Sequence, residues 1–188
     1  MTRTAVTIGN FDGVHLGHAA LIRAARQAVG PSGRVVALAF DPHPLTVLRP
    51  AWAPTRLSTF DQRRGWLRDL GADRVEPLRP ERELLELAPE AFLRRLCESY
   101  EPAFIVEGED FNFGRHRAGS VDTLLELGPS LGFAAIVVPP VEVSLTEQAI
   151  ERLDPIADGD EQPLGAGGIG PAIRSRAKAT PAVPSPST

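Results

Sequence analysis

Four short apolar runs, separated by stretches with helical spacing, limit the folds open to this chain more than any other feature. Residues 5–8, 35–40, 103–106 and 134–138 are almost continuously apolar. Strands of this kind are covered on both faces, as in a parallel sheet. Between the first two runs, Leu21, Ala24, Ala25 and Ala28 mark one helix face, and Arg23, Arg26 and Gln27 the other. Gly30-Pro31 then stops that helix. Residues 59–70 read as a second helix, with Ser58 or Thr59 as its cap and Trp66, Leu67 and Leu70 as its apolar side. Residues 73–78 predict a further strand. Pro89 suits the first turn of a helix that carries Phe92, Leu93, Leu96 and Cys97 inward, and residues 120–131 predict a helix capped by Ser120 and ended by Gly132. This alternation predicts an α/β fold, a doubly wound and mainly parallel five-stranded sheet. Such sheets bind ligands beyond the carboxyl ends of their strands. Residues 9–18, 41–44 and 107–119 all follow strands at that end.

A chain of 188 residues is tight for two domains. Its net charge of -4 argues against general nucleic-acid binding. Lys178 is the only lysine, so any site for phosphate would have to balance its charge with arginine, histidine, backbone N–H groups and a metal ion. The single cysteine, Cys97, excludes an intramolecular disulfide and a thiolate metal cluster. The first residues lack a signal-peptide pattern, and no apolar run approaches the roughly 20 residues of a membrane span, so a cytoplasmic protein is expected. After about Ile150 the pattern fails. Gly165-Ala166-Gly167-Gly168 is followed by a tail ending Pro184-Ser185-Pro186-Ser187-Thr188. The expected organisation is a domain over residues 1–150 and a disordered tail over 151–188, which has too few large apolar residues to offset the entropy of ordering.

Three segments carry chemistry. The first is Thr7-Ile8-Gly9-Asn10-Phe11-Asp12-Gly13-Val14-His15-Leu16-Gly17-His18, an apolar strand, a glycine-studded turn and a helix start. Unpaired N–H groups at a helix start carry partial positive charge and suit phosphate. Imidazoles three residues apart there add donors for phosphoryl charge. Gly9 and Gly13 permit the turn, and Gly17 leaves room for a nucleotide. Phe11 is expected to be a buried anchor beneath the loop. Asp12 either holds the loop through backbone N–H groups or meets the ligand directly. The second segment, Phe40-Asp41-Pro42-His43-Pro44, ends a strand in a rigid loop presenting one imidazole. The third runs from Val106 to Gly119 and includes Asp110-Phe111-Asn112-Phe113-Gly114-Arg115-His116-Arg117. It offers aromatic surface and side-chain donors for a flat ring, and cations for phosphate.

The first segment resembles the HxGH signature of nucleotidyltransferases, in the GNFDGVHxGH form of bacterial FAD synthetases. The second is similar to that family's FDPHP loop, and the third to its GxDFxFGxxRxG loop. All three stand in the family's order, and the resemblance covers residues 4–150. It implies a Rossmann-like nucleotidyltransferase fold and a reaction in which AMP from ATP joins FMN, giving FAD and pyrophosphate with Mg²⁺ on the phosphates. It implies His15 and His18 as catalytic donors and Gly9, Asn10, Phe11, Asp12, Gly13 and Gly17 as the nucleotide site. Phe40, Pro42, His43, Pro44, Asp110, Phe111 and Phe113 would form the flavin site, with Arg115 and Arg117 on phosphate. No side chain is assigned to a metal, and the implied partners are a small-molecule nucleotide and flavin, with no nucleic acid and no membrane.

The sequence departs from the family pattern after the last strand. A Ser/Thr-Ser-x-x-Arg segment is expected there. Residues 169–174 keep an Ile-Arg pair ending in Arg174 but lack the hydroxyl residues before it. No riboflavin kinase module is expected to follow, and a disrupted reading frame near residue 150 or a shortened protein would account for the change. Two alternatives to FMN adenylylation stand beside it: another HxGH transferase, or a catalytically inactive flavin- or nucleotide-binding remnant.

Overall fold

The computed structural model describes residues 2–143. Its centre is a parallel sheet made from β1 (Thr4–Gly9), β2 (Arg34–Phe40), β3 (Arg74–Leu78), β4 (Phe104–Gly108) and β7 (Ala134–Val138). The strand order is β3-β2-β1-β4-β7. A short antiparallel ribbon, β5 (Asn112–Phe113) with β6 (Gly119–Ser120), rises from the loop after β4. The helices are α1 (Leu16–Val29), α2 (Leu45–Leu48), α3 (Phe60–Asp69), α4 (Arg82–Leu85), α5 (Pro89–Tyr100) and α6 (Val121–Leu131). The five strands and the doubly wound α/β arrangement agree with the sequence pattern.

Alternation along the strands builds two cores. Ala5, Val35, Ala37, Val75 and Val106 face Ile22, Ala25 and Val29 of α1 and Leu67 of α3. Val6, Ile8, Val36, Leu38 and Ile105 face Phe92, Leu93 and Leu96 of α5 and Leu124 of α6. Each large side chain buried this way contributes about 1.5–3 kcal/mol before entropy is counted. α1 stops at Gly30 and α6 at Gly132, both with positive φ. In α3 the inward face is Phe60, Arg63 and Leu67, so Trp66, a quarter-turn away, is 42% exposed and Leu70 also reaches solvent, against the sequence expectation. Among the described residues, no helix is long and apolar enough to cross a membrane. The expected tail, 151–188, and Arg174 within it lie outside the described residues.

The sheet opens where the chain changes direction. β1 pairs with β2 along its whole length, from Thr4 opposite Arg34 to Gly9 opposite Ala39. It pairs with β4 only at Ala5 opposite Phe104 and Val6 opposite Ile105. From Thr7 onward β1 and β4 separate, which makes the crevice expected at a topological switch point.

Candidate active site

The three chemistry-bearing segments line one cleft of about 1940 Å³ at the carboxyl ends of the strands. Single drug-sized ligands occupy pockets of roughly 300–1,000 Å³, so this space has room for more than one such ligand. From the first segment it is lined by Gly9, Asn10, Phe11, His15, Gly17 and His18; from the second by Phe40, His43 and Pro44. The third contributes Asp110, Phe111, Phe113, Arg115 and Arg117. Asp12, Gly13 and Pro42 of the predicted set are not on its wall.

The histidine pair is built by the helix start itself. His15 is the N-cap of α1, and its Nδ1 accepts from the Gly17 N–H at 3.2 Å. The His15 N–H donates to His18 Nδ1 at 3.3 Å, closing a reciprocal capping box. The rings stack with centroids 3.7 Å apart. Because both Nδ1 atoms accept, each neutral ring carries its proton on Nε2. Burial pushes the His18 pKa down to about 4, helped by the charge of His15 and opposed by Asp12. Near pH 7 His18 is therefore a neutral N–H donor. A Cβ on Gly17 would sit 3.0 Å from the His15 ring, so this glycine makes room for that imidazole, whereas the sequence suggested room for a nucleotide.

Phe11 is 0% exposed and lies edge-on beneath the His18 ring, at 5.1 Å between centroids. Its φ of 50° is a left-handed conformation that a large residue adopts only when its surroundings impose it. Asp12 turns away from the cleft. Its carboxylate accepts from the Leu57 and Ser58 N–H groups, each at 2.9 Å, and from the Ser58 hydroxyl. Burial raises its pKa, but these bonds and the Arg63 charge outweigh it and hold the carboxyl below its ordinary value. Of the two roles open to Asp12, this geometry is the loop-holding one. Gly13, at φ 70°, donates its N–H to the Ser58 hydroxyl at 3.0 Å.

In the second segment His43 Nδ1 accepts from the Leu45 N–H at 3.1 Å, and burial lowers its pKa against the opposing charge of Asp12. In the third, Phe111 stacks on Phe113 at 5.5 Å. Phe113 in turn packs against Phe92 and is almost wholly buried. Phe111 is thus the ring nearer the ligand space, and Phe113 its support. Arg115 and Arg117 form no ion pair among the described residues, and neither does Arg49 on the same wall, which sequence reasoning missed. Asn10 Oδ1 is buried without a hydrogen-bond donor, leaving a side-chain acceptor at the cleft.

Two buried charged groups were also missed. Arg63 is 3% exposed, and its guanidinium bonds Asn10, Phe40 and Asp41. Its signal was a cation on the inward stripe of a helix, four residues before Leu67. Glu107 is 1% exposed, on the cleft floor where β1 and β4 part. Its Oε1 accepts from the Ile8 N–H at 2.6 Å, replacing the backbone partner that the separating strands no longer supply. Its signal was an acid at the end of an apolar strand. Burial raises its pKa well above the ordinary 4.5, the Ile8 N–H opposes this, and Asp110 adds to it. A carboxyl with a raised folded pKa costs no stability below 4.5 and progressively destabilises the fold as pH rises past that value. Glu107→Gln keeps an acceptor for Ile8 without that charge. In urea titrations the variant should match the wild type near pH 4.5 and exceed it at pH 8; equal stability at both pH values would refute the protonated carboxyl.

The FAD synthetase family pattern matches residues 1–151. A bifunctional riboflavin kinase/FMN adenylyltransferase of Escherichia coli strain K12 is 34% identical over 134 residues, covering 68% of this chain and 42% of the relative. The protein of the same name from Buchnera aphidicola of Schizaphis graminum is 31% identical over 140 residues, covering 73% and 45%. An FAD synthetase of Listeria monocytogenes is 30% identical over 148 residues, covering 78% and 60%. The chain thus spans about half the length of these relatives. A Streptococcus pneumoniae crystal structure described as a macrolide-efflux protein superposes with a TM-score of 0.65 at 23% identity, over 80% of this chain and 50% of that one, which shows a shared fold. The match across residues 1–151, together with these relatives, makes this chain a member of the FAD synthetase family.

Proposed function

We propose that residues 1–150 form a nucleotidyltransferase domain that transfers AMP from ATP to FMN, giving FAD and pyrophosphate. The observation that carries this reading is the stacked His15–His18 pair facing the same cleft as the Asp110–Phe113 loop. An oxygen of the FMN phosphate attacks the α-phosphorus of ATP, the bond to the bridging oxygen breaks, and pyrophosphate leaves with that electron pair. The chain has no covalent step to perform. Its task is to position two substrates and stabilise spreading negative charge. The Nε2–H groups of His15 and His18 donate to the α-phosphate, and the N–H groups at the start of α1 add partial positive charge. Gly9, Asn10, Phe11 and Gly17 line the nucleotide side, with Asp12 and Gly13 bracing the turn. Phe40, His43, Pro44, Asp110 and Phe111 line the flavin side, with Phe113 beneath them and Pro42 shaping the loop. Arg115 and Arg117 take phosphate charge.

Among the described residues no group of three or more His, Cys, Asp or Glu side chains is arranged as a metal cage. The donor set fits a Mg²⁺ ion carried mainly by the substrate phosphates, whose negative charge it would neutralise. The proposed setting is the cytoplasm. The altered segment at residues 169–174 supports one second reading, a domain that binds flavin and nucleotide without turnover. Chromatographic separation of a mixture of FMN, ATP, Mg²⁺ and the full chain decides between them. FAD and pyrophosphate in equal amounts support transfer; ligand binding without FAD supports the second reading.

A further inference from the structure

The backbone ladder between β1 and β2 ends at Gly9 opposite Ala39. The next pair in that register would be Asn10, just after β1, and Phe40, the last residue of β2, where the two loops that carry the nucleotide and flavin positions begin. One nitrogen bridges them. Arg63 Nη1 donates to the Asn10 carbonyl at 2.6 Å and to the Phe40 carbonyl at 2.9 Å. Its other terminal nitrogen, Nη2, donates to Asp41 Oδ1 at 2.9 Å. The guanidinium thus continues the sheet for one more rung by means of a side chain. The helix that supplies it is fixed to the same turn, because Asp12 accepts from Leu57 and Ser58 just before α3 begins. No substrate is needed to complete this junction.

We infer that Arg63 is a positioning residue that sets the spacing of the two substrate loops and thereby couples ATP binding to FMN binding. The inference rests on the FAD-forming reading for the identity of the ligands, but the mechanical junction does not. A rigid fork can reach two carbonyls and a carboxylate together, whereas a lysine ammonium, a compact point charge on a flexible stem, cannot hold the same three in place. A ligand that orders one loop then orders the other through the shared guanidinium, which is a coupling free energy in both directions. A merely structural arginine would behave differently. Its loss would lower the folded fraction and the apparent kcat while leaving both KM values unchanged.

The test uses the full chain and Arg63→Lys, with folding checked by near-ultraviolet circular dichroism. In FAD formation, KM should rise about fivefold or more for both ATP and FMN. Hydrogen exchange in the ligand-free proteins gives a second readout. The amides of Gly13 and Val14, and of Asp41, Leu45 and Thr46, should all exchange faster in the variant. Should Arg63→Lys fail to fold, Asp41→Asn decides the matter, with Arg56→Gln as its control because Asp41 Oδ1 also pairs with Arg56 at 3.1 Å: faster exchange should appear at Gly13 and Val14 in Asp41→Asn and not in Arg56→Gln. A folded Arg63→Lys with exchange unchanged, or changed in one loop alone, overturns the inference, as does purely local exchange in Asp41→Asn. If the wild type neither makes FAD nor binds FMN and ATP, the FAD-forming reading fails, and the exchange results still decide the role of Arg63.

Discussion

Replacing His18 with alanine is expected to slow FAD formation by about 10²–10³-fold, the usual effect of removing one preorganised donor from a site of developing negative charge. The neutral ring, with Nδ1 committed to the His15 N–H, has Nε2–H as its free donor, and alanine removes it. The same change deletes the N3 half of the capping box at the start of α1, so stability should also fall. The two effects separate experimentally. Single-turnover rates at saturating FMN and ATP report the donor, and thermal unfolding reports the cap. A variant that forms FAD at the wild-type rate would remove His18 from the chemistry.

Phe11→Ala should have the largest effect on stability, a loss of about 3–5 kcal/mol in urea unfolding. Phe11 is fully buried, and truncation leaves a cavity under the turn. Its backbone also remains in the left-handed region, which an alanine occupies at a cost with no packing to offset it. A loss of that size is a large part of the 5–15 kcal/mol that holds a typical domain together. Since the ring also supports His18 edge-on, FAD formation should fall even at temperatures where the variant is folded. A loss below about 1 kcal/mol would mean that the turn reshapes freely around the missing ring.

The sheet was largely legible in the sequence because apolar runs such as 35–40 leave a parallel strand few alternatives. β3 was also visible, although Pro77 interrupts it, because an edge strand tolerates a missing donor. Helix faces were harder. Trp66 read as core by its chemistry, but Phe60, Arg63 and Leu67 share the inward face, so the indole projects outward. The convergence of the three loops followed from strand-end topology alone. What stayed hidden were polar groups whose partners are distant in sequence: Arg63 meets Asn10 across 53 residues and Glu107 meets Ile8 across 99. No local pattern encodes such pairs, which exist only once the strands are side by side. Gly17 was visible as a small residue, but the contact requiring it is with its own neighbour, His15, in a ring position that only the helix cap defines.

The early parting of β1 from β4 has an evolutionary consequence. Residues that hold the strands together face the two cores, whereas the residues around the opening sit on the loops beyond the strand ends. Substitutions in those loops leave the ladder intact, so ligand preference is free to drift while the scaffold is conserved. Diversification within such a lineage should therefore concentrate at the rim of the opening and spare the rungs beneath it.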